Sequence, residues 1–229
     1  MKLYCLPYAG CSARVYDSWR GLLPESVDVV PLELPGRGSR CVEEPLADLS
    51  ALLEDLIGLT SAARTVPYAV FGHSYGALVA FELAKLMRAR GYPAPAALIV
   101  SASRAPHLLP KDEAVHTLSD AEFKERLAAL RGTPRELLEN DELMELFIPI
   151  IRADYQILHA YEATIEARVD CPITALCGST DDDAVLTSVE PWRQYTTKSF
   201  DVAHIDGDHF FLHSREKEVV ARVADVLKR

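Results

Sequence analysis

Ser74, Asp181 and His209 have the types and the chain order that nucleophilic acyl chemistry requires. Ser74 is the middle of Gly72-His73-Ser74-Tyr75-Gly76, after the apolar run Tyr68-Ala69-Val70-Phe71 and before a helix-like run from Ala77 to Arg90. A G-x-S-x-G segment between strand and helix lifts the serine hydroxyl above the sheet on a sharp turn. The competing reading is a glycine-rich turn of the kind that holds phosphates, which leaves the serine at its apex unexplained. A serine hydroxyl is a weak nucleophile at neutral pH and needs a histidine base oriented by a carboxylate.

On an open parallel sheet these partners come later in the chain, after the C-terminal ends of strands. Asp181 is the first carboxylate past the apolar run Ile173-Thr174-Ala175-Leu176-Cys177 and its turn. Asp182 and Asp183 follow it directly and remain rivals; Asp206 and Asp208 flank the histidine and follow the same strand as it does. Of the seven histidines, His209 alone has a glycine-containing turn before it and an apolar anchor, Phe210-Phe211, after it. The anionic oxygen of a tetrahedral intermediate needs donors already in place. The Tyr75 amide is one. The loop Pro7-Tyr8-Ala9-Gly10 offers the other, with Ala9 preferred and Tyr8 or Gly10 left open.

The elements that position these residues alternate between strand and helix, which predicts an α/β fold with a mostly parallel central sheet and helices on both faces. Strands are expected at Leu3 to Leu6, Val27 to Leu34, Tyr68 to Phe71, Ala96 to Val100, Ile173 to Cys177 and Ser199 to Ile205. Helices are expected around Val15 to Leu23, Leu46 to Ile57 and Val219 to Leu227. Between about 105 and 168 the pattern is helical, and this stretch reads as an insertion that forms a lid. Ser119 to Glu122 resembles a helix start with Glu122 one position short of a strict capping box. Further helices are expected at Pro134 to Glu139 and Asp141 to Glu166. Met144, Phe147 and Ile151, with Leu146, are candidates for lining an acyl chamber.

The chain of 229 residues is read as one domain, 1–229, with 49% apolar and 25% charged residues, an ordinary globular balance. Its net charge of -10 disfavours nonspecific nucleic-acid binding. No apolar run approaches the roughly 18–20 residues of a membrane span. The N-terminus reads as a strand rather than a signal peptide. The five cysteines form no C-x-x-C pair and are read as reduced thiols. A cytoplasmic protein without a metal site is expected.

The chain resembles the type II thioesterases that accompany polyketide, nonribosomal peptide and fatty acid synthases. Besides the Ser74 turn, the likeness is carried by Leu34-Pro35-Gly36-Arg37-Gly38-Ser39-Arg40, Ser103-Arg104-Ala105-Pro106, Arg152-Ala153-Asp154-Tyr155 and Gly207-Asp208-His209-Phe210-Phe211-Leu212. The resemblance implies an α/β-hydrolase fold, with Ser74 as nucleophile, Asp181 as acid, His209 as base, and the Ala9 and Tyr75 amides as oxyanion donors. Cys11 replaces a glycine common in the family, and the proline often found after the family's acid is missing from Asp181-Asp182-Asp183.

The implied activity is hydrolysis of acyl, aminoacyl or peptidyl thioesters on the phosphopantetheine arm of a carrier protein. Such hydrolysis clears stalled units or releases chains. No cofactor is implied, since the substrate carries the arm, and a monomer acting in trans is expected. Because carrier proteins are acidic, a basic rim drawn from Arg14, Arg37, Arg40, Arg104 and Lys111 is expected. The alternatives are a carboxylesterase or lipase-like hydrolase with the same triad, and a non-catalytic scaffold of the same fold.

Overall fold

The computed structural model describes residues 1–110, 114–130, 138–164, 168–181 and 187–228. Six strands form one sheet in the order β2-β1-β3-β4-β5-β6: β1 Lys2–Leu6, β2 Asp28–Pro31, β3 Tyr68–His73, β4 Leu98–Ser101, β5 Ile173–Gly178 and β6 Phe200–Ile205. Every pairing among them is parallel.

Side chains alternate across the central strands, so the sheet carries two cores. Tyr4, Leu6, Tyr68, Val70, Leu98 and Val100 join the core on one face, while Leu3, Cys5, Ala69, Phe71 and Ile99 join the other. A strand buried on both faces reads as a continuous apolar run, as β1 and β3 do. The first face is covered by α1 (Leu49–Leu59) and α2 (Tyr75–Ala89). The second is covered by the 3-10 segment Ala13–Gly21, through Tyr16 and Trp19, and by the C-terminal helix Glu216–Leu227, through Val219, Val220 and Val223. No helix among the described residues is long and apolar enough to cross a membrane.

The chain between β4 and β5 contains helices α3 (Asp120–Leu130) and α4 (Asp141–Ala160). They enclose a small separate core in which Phe123 and Leu127 meet Met144, Ile148 and Ile151. The start of α3 corrects the sequence-based expectation. Glu122 accepts from the Ser119 amide at 3.0 Å, and the Ser119 hydroxyl accepts from the Glu122 amide at 3.4 Å. That is a complete capping box. Helix α4 stops at Ala160 rather than Glu166, because Tyr161 turns extended, is buried, and donates its hydroxyl to Glu82 of α2 at 2.7 Å. The expected helix at Pro134 to Glu139 falls mostly outside the described residues. The second strand is shorter than expected, spanning Asp28–Pro31. Its bonding to β1 runs on to the Leu32 amide, which donates to the Cys5 carbonyl at 2.9 Å, and Pro31 is tolerated because β2 is the edge strand.

Candidate active site

The Ser74 turn is strained and tightly packed. Ser74 adopts φ 53° and ψ -117°. A non-glycine residue held there costs about 1–3 kcal/mol and persists only where its surroundings impose it. Here they do so through contact. A Cβ on Gly72 would lie 2.0 Å from the Gly76 carbonyl oxygen, and one on Gly76 would lie 2.4 Å from the Leu6 oxygen. The Ser74 amide donates to the Ser101 carbonyl at 2.7 Å, fixing the turn to the end of β4. Tyr75 opens α2, so its amide has no acceptor within that helix, and the helix N-terminus faces the serine.

Ser74, His209 and Asp181 meet although they lie far apart in the chain. Ser74 Oγ is 3.0 Å from His209 Nε2, and His209 Nδ1 is 3.1 and 3.2 Å from the two Asp181 oxygens. The Asp181 side chain is 1% exposed and that of His209 22%, so the acid is sealed while the base reaches the surface. A carboxylate accepts only, so Nδ1 carries the proton and Nε2 is free to accept from the serine. Asp206 is turned to Arg215 and Ser179. Asp208 accepts from the Phe210 amide at 2.9 Å. Asp182 and Asp183 lie outside the described residues.

His73, not preferred as the base because it points away from the serine in such turns, supports the His209 backbone from beneath. Its Nε2 is 3.0 Å from the His209 carbonyl oxygen and its Nδ1 2.9 Å from Ser101 Oγ. The carbonyl can only accept, so Nε2 bears the proton and Nδ1 accepts from the serine hydroxyl. Burial, with His209 nearby, holds the His73 pKa well below the usual histidine range. Its unfolded form therefore binds a proton first as pH falls. The resulting stability is fully present above about pH 6.5 and declines below it, by up to about 1.4 kcal/mol per pH unit for one such group. Burial lowers His213 too, with the same sign. Denaturant unfolding between pH 7.5 and 5.5 should show a shallower pH slope for His73→Gln than for the wild type. Parallel slopes would exclude His73 as a source.

The loop at residues 7–10 follows β1 directly, turns with the Cys11 amide donating to Tyr8 oxygen at 3.0 Å, and leaves Ala9 partly exposed. Tyr8 ties it to the histidine loop: its hydroxyl is 3.0 Å from His213 Nε2, and its ring packs edge-on against His73 and Phe210. Burial pushes the neighbouring Cys11 up to about 11, so it is a thiol at neutral pH.

A cavity of about 420 Å³ opens beside this loop, walled by residues 8–12, residues 36–38, Leu146, Phe147, Ile150 and Ile151. Phe147 and Ile151 thus occupy the expected wall. Met144 does not; it is 2% exposed and lies within the small core of Phe123 and Leu127, which Ile151 joins as well. The expected basic rim also changes. Arg37 is buried against Asp154, and Arg40 is paired with Glu43 and Asp55. Arg14 is exposed, Arg104 is half-buried, and Lys111 lies outside the described residues.

A family model described as "Thioesterase domain" matches residues 1–227. The chain belongs to the thioesterase family. It is 39% identical over 229 residues to a Brevibacillus parabrevis protein named linear gramicidin dehydrogenase LgrE, spanning 99% of this chain and 87% of the relative. The word dehydrogenase describes that relative alone. The solved structure of RedJ, a thioesterase of the prodiginine pathway in Streptomyces coelicolor, superposes with a TM-score of 0.89 at 38% identity, covering 98% of this chain and 85% of RedJ. The type II thioesterase BorB of the borrelidin cluster gives 0.88 at 34%, covering 99% of this chain and 92% of BorB. These likenesses put the thioesterase with the type II enzymes of nonribosomal peptide and polyketide pathways and its sheet with the α/β hydrolases.

Two charged residues of this thioesterase acquire a place that the sequence reading had not given them. Arg37 is expected in a basic rim, and Asp154 stands only within the family-like segment Arg152-Ala153-Asp154-Tyr155. A signal was present: Asp154 lies at helical spacing from Ile151 and Ile157, on an apolar face where a lone carboxylate is too costly without a partner.

Proposed function

We propose that the thioesterase hydrolyses acyl groups from the phosphopantetheine arm of carrier proteins, with Ser74 as nucleophile, His209 as base and Asp181 as its orienting acid. The hydrogen-bonded chain from Ser74 Oγ at 3.0 Å through His209 to Asp181 at 3.1 Å carries this reading. Ser74 Oγ attacks the thioester carbonyl as His209 Nε2 takes its proton. The oxyanion is held by the Ala9 and Tyr75 amides, the latter aided by the positive end of α2. Collapse expels the pantetheine thiolate, which receives the proton from His209 and leaves as thiol. Water then gives a proton to His209 and attacks the acyl-enzyme, and a second collapse frees the carboxylic acid and returns the proton to Ser74. A thiolate leaves more easily than an amine, so less acid assistance is needed than in a peptidase. The cavity beside the loop, with Phe147 and Ile151 in its wall, is suited to an apolar acyl chain.

The deciding experiment incubates the enzyme with a panel of acyl-loaded carrier proteins and follows release by intact mass. Matched free thioesters and oxygen esters are run alongside. The expected result is a kcat/KM for at least one carrier-bound thioester well above that for the matched small oxygen ester. Preference for free oxygen esters would instead make the enzyme a small-molecule esterase.

A further inference from the structure

Arg37 and Asp154 form a two-pronged ion pair in the protein interior, with side chains 3% and 1% exposed. Arg37 Nη1 donates to Asp154 Oδ2 at 2.7 Å and Nη2 to Oδ1 at 2.9 Å. The same Oδ2 accepts from the Gly10 amide at 2.8 Å. Asp154 belongs to α4 of the insertion, Arg37 to the loop after β2, and Gly10 adjoins Ala9. One turn before Asp154, Ile151 closes on the same point: Gly10 has φ +74°, and a Cβ there would lie 2.5 Å from Ile151 Cγ1. Tyr75, whose amide is the other oxyanion donor in the proposed reaction, buries its ring close by. Its phenol is raised well above the usual range, chiefly by burial and further by the Asp154 charge.

A buried ion pair is a poor source of net stability, because desolvation offsets most of the attraction. An apolar pair of similar volume would fill the space equally well. It could not offer a fixed, charged acceptor to the Gly10 amide. We propose that Arg37 and Asp154 are positioning residues: the guanidinium holds the carboxylate, the carboxylate holds the Gly10 amide, and the Ala9 amide is thereby aimed at the oxyanion. Seating of α4 and completion of the oxyanion hole then become one event. This rests on Ala9 being an oxyanion donor, as in the proposed function.

The test compares R37M/D154L, which removes charge and acceptor together, with R37Q/D154N, which keeps a neutral acceptor for Gly10. Both are assayed on a small acyl thioester, so that carrier docking plays no part, after circular dichroism and cooperative melting have established folding. Misplacing a donor by a fraction of an ångström to an ångström costs about 10- to 100-fold in rate. R37M/D154L is therefore expected to lose about 10- to 100-fold in kcat with KM changed less than about threefold. R37Q/D154N should recover most of that loss. A folded R37M/D154L with kcat within about twofold of wild type, or equal losses in both variants, would overturn the proposal. If the apolar pair does not fold, Asp154→Ala, which removes the Gly10 acceptor, decides below its melting temperature. A fall in kcat of about fivefold or more at near-constant KM supports positioning, and a smaller one overturns it. A wild type active on the small thioester but inactive on every carrier-bound acyl group would overturn the carrier reading and leave this comparison intact. Inactivity on both would overturn the two together.

Discussion

Ser74→Ala and His209→Ala are each expected to lower turnover of an acyl thioester by about 10⁴-fold or more, equivalent to about 5.5 kcal/mol of lost transition-state stabilisation. Without Oγ no acyl-enzyme forms. Without the imidazole, the serine proton has no acceptor at the 3.0 Å now occupied by Nε2. The two losses should not add, since the residues act as one unit and the double variant should resemble either single one. KM should move little, because neither side chain is needed to seat the acyl chain. A fluorophosphonate should form an adduct on Ser74 of the wild type and none on Ser74→Ala. Hydrolysis by Ser74→Ala within tenfold of the wild type, or an adduct on another residue, would remove the nucleophile assignment and revive the scaffold reading.

Asp181→Asn is the second large effect, expected at about 10³- to 10⁴-fold in kcat. The carboxylate now accepts from His209 Nδ1 through two oxygens at 3.1 and 3.2 Å, which keeps Nε2 unprotonated toward Ser74. An asparagine can turn its NH₂ to Nδ1, shifting the ring proton to Nε2, where it blocks the base. The geometry would survive and the tautomer would be wrong. Asp206→Asn is the matched control. Its carboxylate serves Arg215, so activity should remain close to wild type, while the pair with Arg215 is lost. Near-normal turnover in Asp181→Asn would pass the acid's role to Asp182, Asp183 or Asp206.

Neither prediction needed the structure to be formulated, but only the structure says why the rivals fail. The order of strands favours Asp181 over Asp206 and Asp208, which follow the same strand as the histidine, but it does not show where any of the three carboxylates points. The fold spends Asp206 on Arg215 and Asp208 on the Phe210 amide, and points Asp181 at Nδ1. The same holds on α4. Periodicity marks Met144, Phe147 and Ile151 as apolar positions of one helix. It is silent on which of them border the cavity. Packing leaves Met144 wholly inside the core with Phe123 and Leu127, while Phe147 and Ile151, which touch the same core, also wall the cavity.

The local features were settled within short windows of the chain. Two-residue alternation in β1 and β3, the glycines that allow backbone to approach backbone at Ser74, and the Ser119–Glu122 cap all act over a few residues. Each is therefore written in the order of side chains. The order of the serine, acid and histidine candidates is likewise a local matter, because each follows its own strand end. What only the tertiary structure decided are pairings across long separations. His209 meets Ser74 across 135 positions, and Arg37 meets Asp154 across 117. Arginines at 14, 37 and 40 look alike in sequence, yet one is exposed, one buried and one paired at the surface. Their fate depends on desolvation and on which carboxylate the fold brings within reach, and no property of the neighbouring residues encodes that distance.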